Sequence, residues 1–377
     1  MAEPLKNLFN TKIITVMGNV LLRNEKSFDR EKFVNVATQN LEALELKERS
    51  AQIRQALMQT LPSDYRAACE LMVTSLHPED DIDLSGTSIE ERGIRGWAIM
   101  PMAELVAGRG LEDFDFSLDV LREFTKRFTS EFAVRPFFLA DTARTLEHFR
   151  RWATDKNYHI RRLASEGSRP RLPWALRLPE FVKNPEPVLH ILEELKDDPS
   201  DYVRRSVANN LNDIAKDHPD RVAGVAGRWL NKAGKERTQL VRHACRTLIK
   251  QGHEPTLRAL GYSSPAIEIE QINLKTPVVT LGSALEFDMT LRSAADHAQP
   301  LIIDFVVHHR KANGQLSPKV FKWKVIDLPA HESLTLSKKH PMKPITTRVY
   351  YPGLHELDVK INGVSFGGSS FELFIPD

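Results

Sequence analysis

Residues 202–214 read YVRRSVANNLNDI, and two interleaved helical stripes run through them. Val203, Val207, Leu211 and Ile214 recur at spacings of four, four and three, the apolar stripe of a core-facing helix. Arg205, Asn209 and Asp213 recur at i, i+4 and i+8, about two residues out of phase, which predicts a face turned away from that core. The preceding helix pattern places Arg162 and Glu166 on the equivalent face, and the following one His243, Thr247 and Gln251. Arginines on such a surface can grip an anion while the carboxylates meet a substrate. The same residues also suit intrahelical ion pairs and hydrogen bonds between repeats, in which Asp213 and Glu166 are structural.

The loop after Glu166 adds to this surface. Gly167 is a natural helix terminator, and SRPRLPWALRLP follows it. Arg169, Arg171, Arg177 and Trp174 stand there among prolines that stiffen the backbone, a mixture suited to phosphate contacts and base stacking. Trp152 and Trp174 also fit a core, and Trp152 is read as a core residue. Upstream, SEFAVRPFF places Glu131 and Arg135 one helical turn apart before a proline kink, the spacing of an isolated ion pair. Other chemistries lack their residues. The chain has no P-loop and no nucleophilic serine elbow, and Gly363, Gly367 and Gly368 sit where a connection between two strands is expected. Thirteen histidines show no metal-ligand pairing on a helix, so neither metal nor cofactor is expected. Two cysteines, Cys69 and Cys245, far apart in sequence, exclude a disulfide framework and fit a reducing cytosol.

Several kinds of element must position these groups. With 377 residues, 41% hydrophobic and 27% charged, two or three globular domains are expected. The apolar residues Ile13, Val16, Met17, Val20 and Leu21 predict an amphipathic first helix rather than a signal peptide, and no apolar run is long enough to span a membrane. Residues 29–60 keep helical periodicity with no Gly or Pro, residues 77–93 are acidic and turn-rich, and helical patterns resume at Trp97 and from Phe116 to Phe149. Arg161, Arg204 and Arg242 each stand early in a helix pattern, 43 and 38 residues apart, the period of HEAT-type helix pairs. Charge is uneven: net −7 over residues 1–120, +9 over 121–260 and zero thereafter. The positive middle third suits a polyanion or a solvated basic face. After Gly261 the pattern turns to period two, as in AIEIEQINL at 266–274, VFKWKVI at 320–326 and ELDVKI at 356–361. Seven or eight short strands over about 110 residues have the rhythm of an immunoglobulin-like sandwich. The expected architecture is a HEAT-like helical solenoid over 1–262 followed by an immunoglobulin-like β-sandwich over 263–377.

The runs HIRRLASEGSRPRLPWALRLP and DYVRRSVANNLNDIAKDHPD, together with SEFAVRPFF at 130–138, resemble the AlkC-type alkylpurine DNA glycosylases of the HEAT-like repeat superfamily. The resemblance covers the helical portion and reaches the C-terminal sandwich, which members can carry. It implies hydrolysis of the N-glycosidic bond of 3-methyladenine and 3-methylcytosine in duplex DNA, without rotating the nucleotide into a deep pocket. By motif it implies Glu131, Glu166 and Asp213 as active-site carboxylates and Trp174 as the aromatic at the lesion; Asn209, on the outward face with Asp213, is expected to bind substrate as well. Such a base already carries positive charge, so carboxylates near the deoxyribose can stabilise an oxocarbenium-like sugar, and one can activate water. Arg162, Arg169, Arg171, Arg204 and Arg205 are expected on flanking phosphates, in contacts that weaken with salt. A shallow surface with no deep pocket is expected, along with a monomer, and the sandwich loops 308–314 and 337–340 could reach the duplex. Two non-catalytic alternatives are a HEAT scaffold that binds proteins and a sensor that binds damaged DNA.

Overall fold

The computed structural model describes residues 4–80 and 91–376, so residues 81–90 of the acidic turn-rich stretch lie outside the described residues. The chain forms two compact units that divide between Asp217 and His218.

The first unit is helical. Its helices start where the sequence supplies caps: the side chains of Asn10, Asp64 and Asp141 accept from the backbone N–H three residues on, satisfying an otherwise orphaned donor. The first helix, Thr11–Asn24, buries the five apolar residues that marked it. The periodic stretch 29–60 is broken into Arg30–Thr38 and Leu46–Thr60. The break is made by Asn40 in the left-handed conformation (φ 54°), which the short polar side chain tolerates without a glycine. Residues 116–149 are likewise divided, with Arg135–Ala140 set apart by Pro136 as its second residue. Trp152 is buried and packs on Phe149 at 4.8 Å between ring centroids.

The two repeat helices Tyr158–Glu166 and Asp201–Ile214 pack against each other, and Arg161 and Arg204 share one structural task. Arg161 Nη1 donates to the carbonyls of Asp155 and Lys156, both at 2.9 Å. Arg204 Nη1 donates to those of Asp198 and Pro199, at 2.6 and 2.9 Å. Each guanidinium thus ties down the turn five and six residues before it. Arg161 also holds the Asp198 carboxylate of the next turn, at 2.5 and 3.0 Å, fixing one repeat to the next.

The second unit contains the helices Pro219–Leu230, Lys235–Ala244, Arg246–Gln251 and Glu254–Ala259, then eight strands. The strands are β1 (Ile267–Leu274), β2 (Val278–Thr280), β3 (Ala284–Ser293), β4 (Gln299–Arg310), β5 (Leu316–Leu328), β6 (Ser333–Pro341), β7 (Gly353–Ile361) and β8 (Val364–Phe374). One sheet has the order β1-β3-β6 and the other β2-β8-β7-β4-β5, all antiparallel except the β2–β8 pair. Phe287, Met289 and Leu291 from β3 meet Phe305, Ile303 and Leu301 from β4 in the layer between the sheets. Gly367 and Gly368 are part of β8 rather than of a connection. A Cβ on Gly368 would stand 1.7 Å from the Leu357 carbonyl oxygen across the ladder, so only glycine lets β7 approach. Among the described residues no helix is long and apolar enough to cross a membrane.

Candidate active site

Acids and bases alternate through the first unit in one connected line. Glu131 sits in the turn before Arg135–Ala140, where its Oε2 accepts from Thr129 Oγ1 at 2.8 Å and from Arg162 Nη1. Arg162 reaches Glu166, one turn on, at 3.5 Å, and lies over the Tyr202 ring at 5.1 Å. Glu166 accepts from Arg169 Nη1 and from Ser206 Oγ, each at 2.6 Å. Arg169 Nε donates to Asp213 Oδ2 at 2.7 Å, and Lys216 Nζ donates to Asp213 Oδ1 at 2.9 Å. The line runs Glu131, Arg162, Glu166, Arg169, Asp213, Lys216. The carboxylate residues retain only 9%, 5% and 2% of their exposure, so each cation offsets a charge that water cannot reach. Burial alone would raise the Glu166 carboxyl, but Arg162 and Arg169, with the Ser206 hydroxyl, outweigh it and hold the group below its ordinary range. Burial would likewise lower Arg169, and Glu166 and Asp213 overcome it.

Asp213 therefore does not face open space. The helix face that Arg205, Asn209 and Asp213 share grades from solvent into protein: Arg205 is exposed, Asn209 half-buried and Asp213 buried beneath Arg169. Helical phase was legible in the sequence; the loop that folds back over the end of the face was not.

That loop spans 167–178. Its Trp174 is 68% exposed and takes a left-handed backbone (φ 64°), a conformation that costs on the order of 1 kcal/mol or more for a non-glycine residue. Arg135, fully buried, holds the loop from behind: it donates to the carbonyls of Gly167 at 3.1 Å, Arg169 at 2.9 Å and Leu176. Burial, with Arg169 nearby, lowers its guanidinium to about 10. Arg135 is not the i, i+4 partner of Glu131 that the spacing suggested. Arg162 takes Glu131 and leaves Arg135 to the loop. Glu131-x-x-x-Arg135 spacing could not show this, because both true partners are distant in sequence. Ser206 and Lys216 also went unmarked, though the spacing of Asp213 and Lys216 is that of a helical pair.

A cleft of about 1410 Å³ opens beside the line, where a shallow surface was expected. Glu131, Arg162, Glu166, Arg169 and Trp174 form one side, while Lys47, Arg54, Trp97, Met100 and Glu104 bring in the helices nearer the N-terminus. Asp213 lies behind Arg169 and does not line it. Of the arginines marked in the sequence, Arg162 and Arg169 belong to the buried line, and Arg171 pairs bidentately with Asp217 at 2.7 and 2.6 Å. Arg204 ties its turn, and Arg205, exposed, pairs with Asp201 at 3.0 Å.

A helical unit with three carboxylates gathered beside an exposed tryptophan, followed by a β-sandwich, matches known proteins over nearly its whole length. The family described as DNA alkylation repair enzyme matches residues 30–256, and the chain belongs to it. Residues 268–375 match the family described as "Uncharacterised protein YhaZ, C-terminal Ig-like domain", which makes the sandwich immunoglobulin-like. YhaZ of Bacillus subtilis (strain 168) is 35% identical over 361 residues, covering 95% of this chain and 96% of that one. Among solved structures, the Pseudomonas fluorescens alkylpurine DNA glycosylase AlkC, bound to DNA containing an abasic site analog, is 35% identical. It covers 99% of this chain and 100% of that one at a TM-score of 0.87. The chain is thus of AlkC type, a helical repair domain with a C-terminal immunoglobulin-like domain.

Proposed function

We propose that this protein is a DNA glycosylase that hydrolyses the N-glycosidic bond of cationic N3-alkylated bases, 3-methyladenine and also 3-methylcytosine, in duplex DNA without extruding the nucleotide. The observation that carries the reading is the pair Glu131 and Glu166 lining one cleft with Trp174, with Asp213 joined to them through Arg169. The AlkC structure, with an abasic site analog in its DNA, supports the same assignment. A cationic base is a good leaving group without protonation, so the protein's share is electrostatic: carboxylates beside the sugar stabilise its developing positive charge. Glu131 and Glu166 line the cleft and take that role. Trp174, projecting from a loop braced by Arg135, contacts the deoxyribose.

Asp213 is assigned to the attacking water, although it stands behind Arg169 and outside the cleft lining, so the assignment requires this end of the line to open when the duplex binds. The Asp213 Oδ2 is fixed by Arg169, whereas Oδ1 is bound by Lys216, whose side chain is 45% exposed and is the partner more readily displaced. Oδ1 is therefore the atom assigned to the water. Asn209, midway between Arg205 and Asp213 on the same helix face, is assigned to the substrate, and Arg205 and Arg171 to the flanking backbone, where a phosphate would compete with their partners Asp201 and Asp217. The reaction needs neither metal nor cofactor, and the enzyme works as a monomer in the cytosol. The test is release of free 3-methyladenine from methylated duplex DNA above the spontaneous rate. No release by folded protein that binds the duplex would leave a damage sensor.

The volume and aromatic lining of the cleft, with Trp97, Phe128 and Phe132, favour a second reading in which the base leaves the stack. A 2-aminopurine placed beside the lesion separates the two. Its fluorescence stays quenched on binding if the stack is kept, and rises if the base is extruded.

A further inference from the structure

The cations of the cleft differ in what already holds them. Arg162 and Arg169, with Lys216, neutralise Glu131, Glu166 and Asp213, and Arg205 is paired with Asp201. Lys47 and Arg54 line the same cleft; among the described residues neither is in an ion pair within 4 Å, and the acid whose charge they both favour is Glu104, also in the lining. Lys47 is exposed and bonds only to a neutral group, the Trp174 carbonyl oxygen, at 3.2 Å. Arg54 Nε is buried with no hydrogen-bond partner, an uncommon state for a donor that carries charge. Both stand on the helix Leu46–Thr60, seven residues apart, hence on one face and about 10 Å apart along the axis. Charge composition points elsewhere, since residues 1–120 carry net −7.

We propose that Lys47 and Arg54 form a phosphodiester-binding wall of the cleft, gripping two backbone phosphates of the duplex opposite the carboxylates. The inference rests on the duplex-DNA ligand of the glycosylase reading. Lys47 and Arg54 together face the single Glu104 carboxylate, so they leave positive charge over for a polyanion brought toward Glu131 and Glu166. A phosphate that takes the Lys47 ammonium also reaches the residue that touches the Trp174 loop, so binding and loop placement are linked through one hydrogen bond.

The test is the salt dependence of duplex binding, by fluorescence anisotropy between about 50 and 200 mM salt, for wild type and the double variant Lys47→Gln/Arg54→Gln. Removing the cation from one phosphate lowers the slope of log K against log salt by about 0.9, so the double variant is expected to fall by about 1.8. A structural role would weaken binding equally at all salt concentrations and leave the slope alone. Lys47→Glu alone changes only an exposed side chain, so it guards against misfolding and should flatten the slope by about 0.9 or more. A double-variant slope within about 0.5 of wild type overturns the proposal while the glycosylase reading stands. Wild type that shows no salt-dependent duplex binding overturns both.

Discussion

Replacing Arg169 with methionine should destabilise the helical unit more than any exposed substitution, because it leaves two buried carboxylates short of a counter-charge. Hydrogen bonds to charged groups contribute about 1.5–3 kcal/mol each. Glu166 keeps Ser206 and Arg162, so its loss falls near the low end. Asp213 keeps only Lys216, so its loss falls near the high end. The total is about 4 kcal/mol, within the range for breaking a buried ion pair. For a unit of this size that corresponds to a fall in Tm of about 8–16 °C. The readout is the helical melt by far-ultraviolet circular dichroism at neutral pH. A rescue arm adds Glu166→Gln and Asp213→Asn to Arg169→Met: neutral isosteres remove the orphaned charges and should restore at least half of the loss. Because Arg162 and Arg169 hold Glu166 below its ordinary range, its contribution is present above the unfolded carboxyl value and lost as pH falls through the folded one. The gap between Arg169→Met and wild type should therefore narrow in acid. A single-variant loss below about 1 kcal/mol, or a triple variant no better than the single, would show that water already serves these carboxylates, and the reasoning would fail.

Trp174→Gly relieves a left-handed backbone at an exposed position, so the melting temperature should stay within a few degrees while base release falls at least tenfold; a matching loss of stability would make Trp174 structural. Arg135→Met should loosen the 167–178 loop and raise KM for methylated duplex more than it changes the melt of the rest of the unit. Protease nicking confined to that loop would report the cause. In the sandwich, burial lowers His309 to about 3 and His340 to about 4, and also lowers His355, so these groups are neutral when folded. Unfolding then takes up protons below pH 6.5, and the second unit should lose stability from pH 7 to 5. Asp304, raised by burial to about 6, acts in the opposite direction, so Asp304→Asn should raise Tm at pH 7.5 and lose that advantage near pH 4. A calorimetric scan of both proteins across this range checks both signs.

Much of this fold could be read from periodicity. The apolar stripe of 202–214 and the alternation of 356–361 each fixed an element to within a few residues, since burial imposes a period of 3.6 or 2 on the side chains. Where the pattern misled, a single residue usually decided. Asn40 ends a helix in a stretch with no glycine, and Gly367 and Gly368 lie within a strand because a neighbouring backbone comes close. Candidate site residues were legible by type and helix phase, but their electrostatics were not. That Arg162 serves Glu131, that Arg169 roofs Asp213, and that Lys47 touches the Trp174 loop are contacts across 31, 44 and 127 residues, beyond any local spacing. Arg161 and Arg204 show the converse. Two of the three recurring arginines share a tie to the preceding turn rather than a surface left open to a ligand, whereas the third, Arg242, donates to the Tyr262 hydroxyl instead.

The account turns on Asp213 as the group that activates water. Its direct test is single-turnover release of 3-methyladenine from methylated duplex by wild type and Asp213→Asn, with duplex affinity measured on the same samples. Asparagine keeps the shape and can still accept from Arg169, so affinity should remain within a fewfold of wild type while release falls by at least a hundredfold. Release by the variant at the wild-type rate, with the duplex bound equally well, would contradict the assignment and move the chemistry to Glu131 or Glu166.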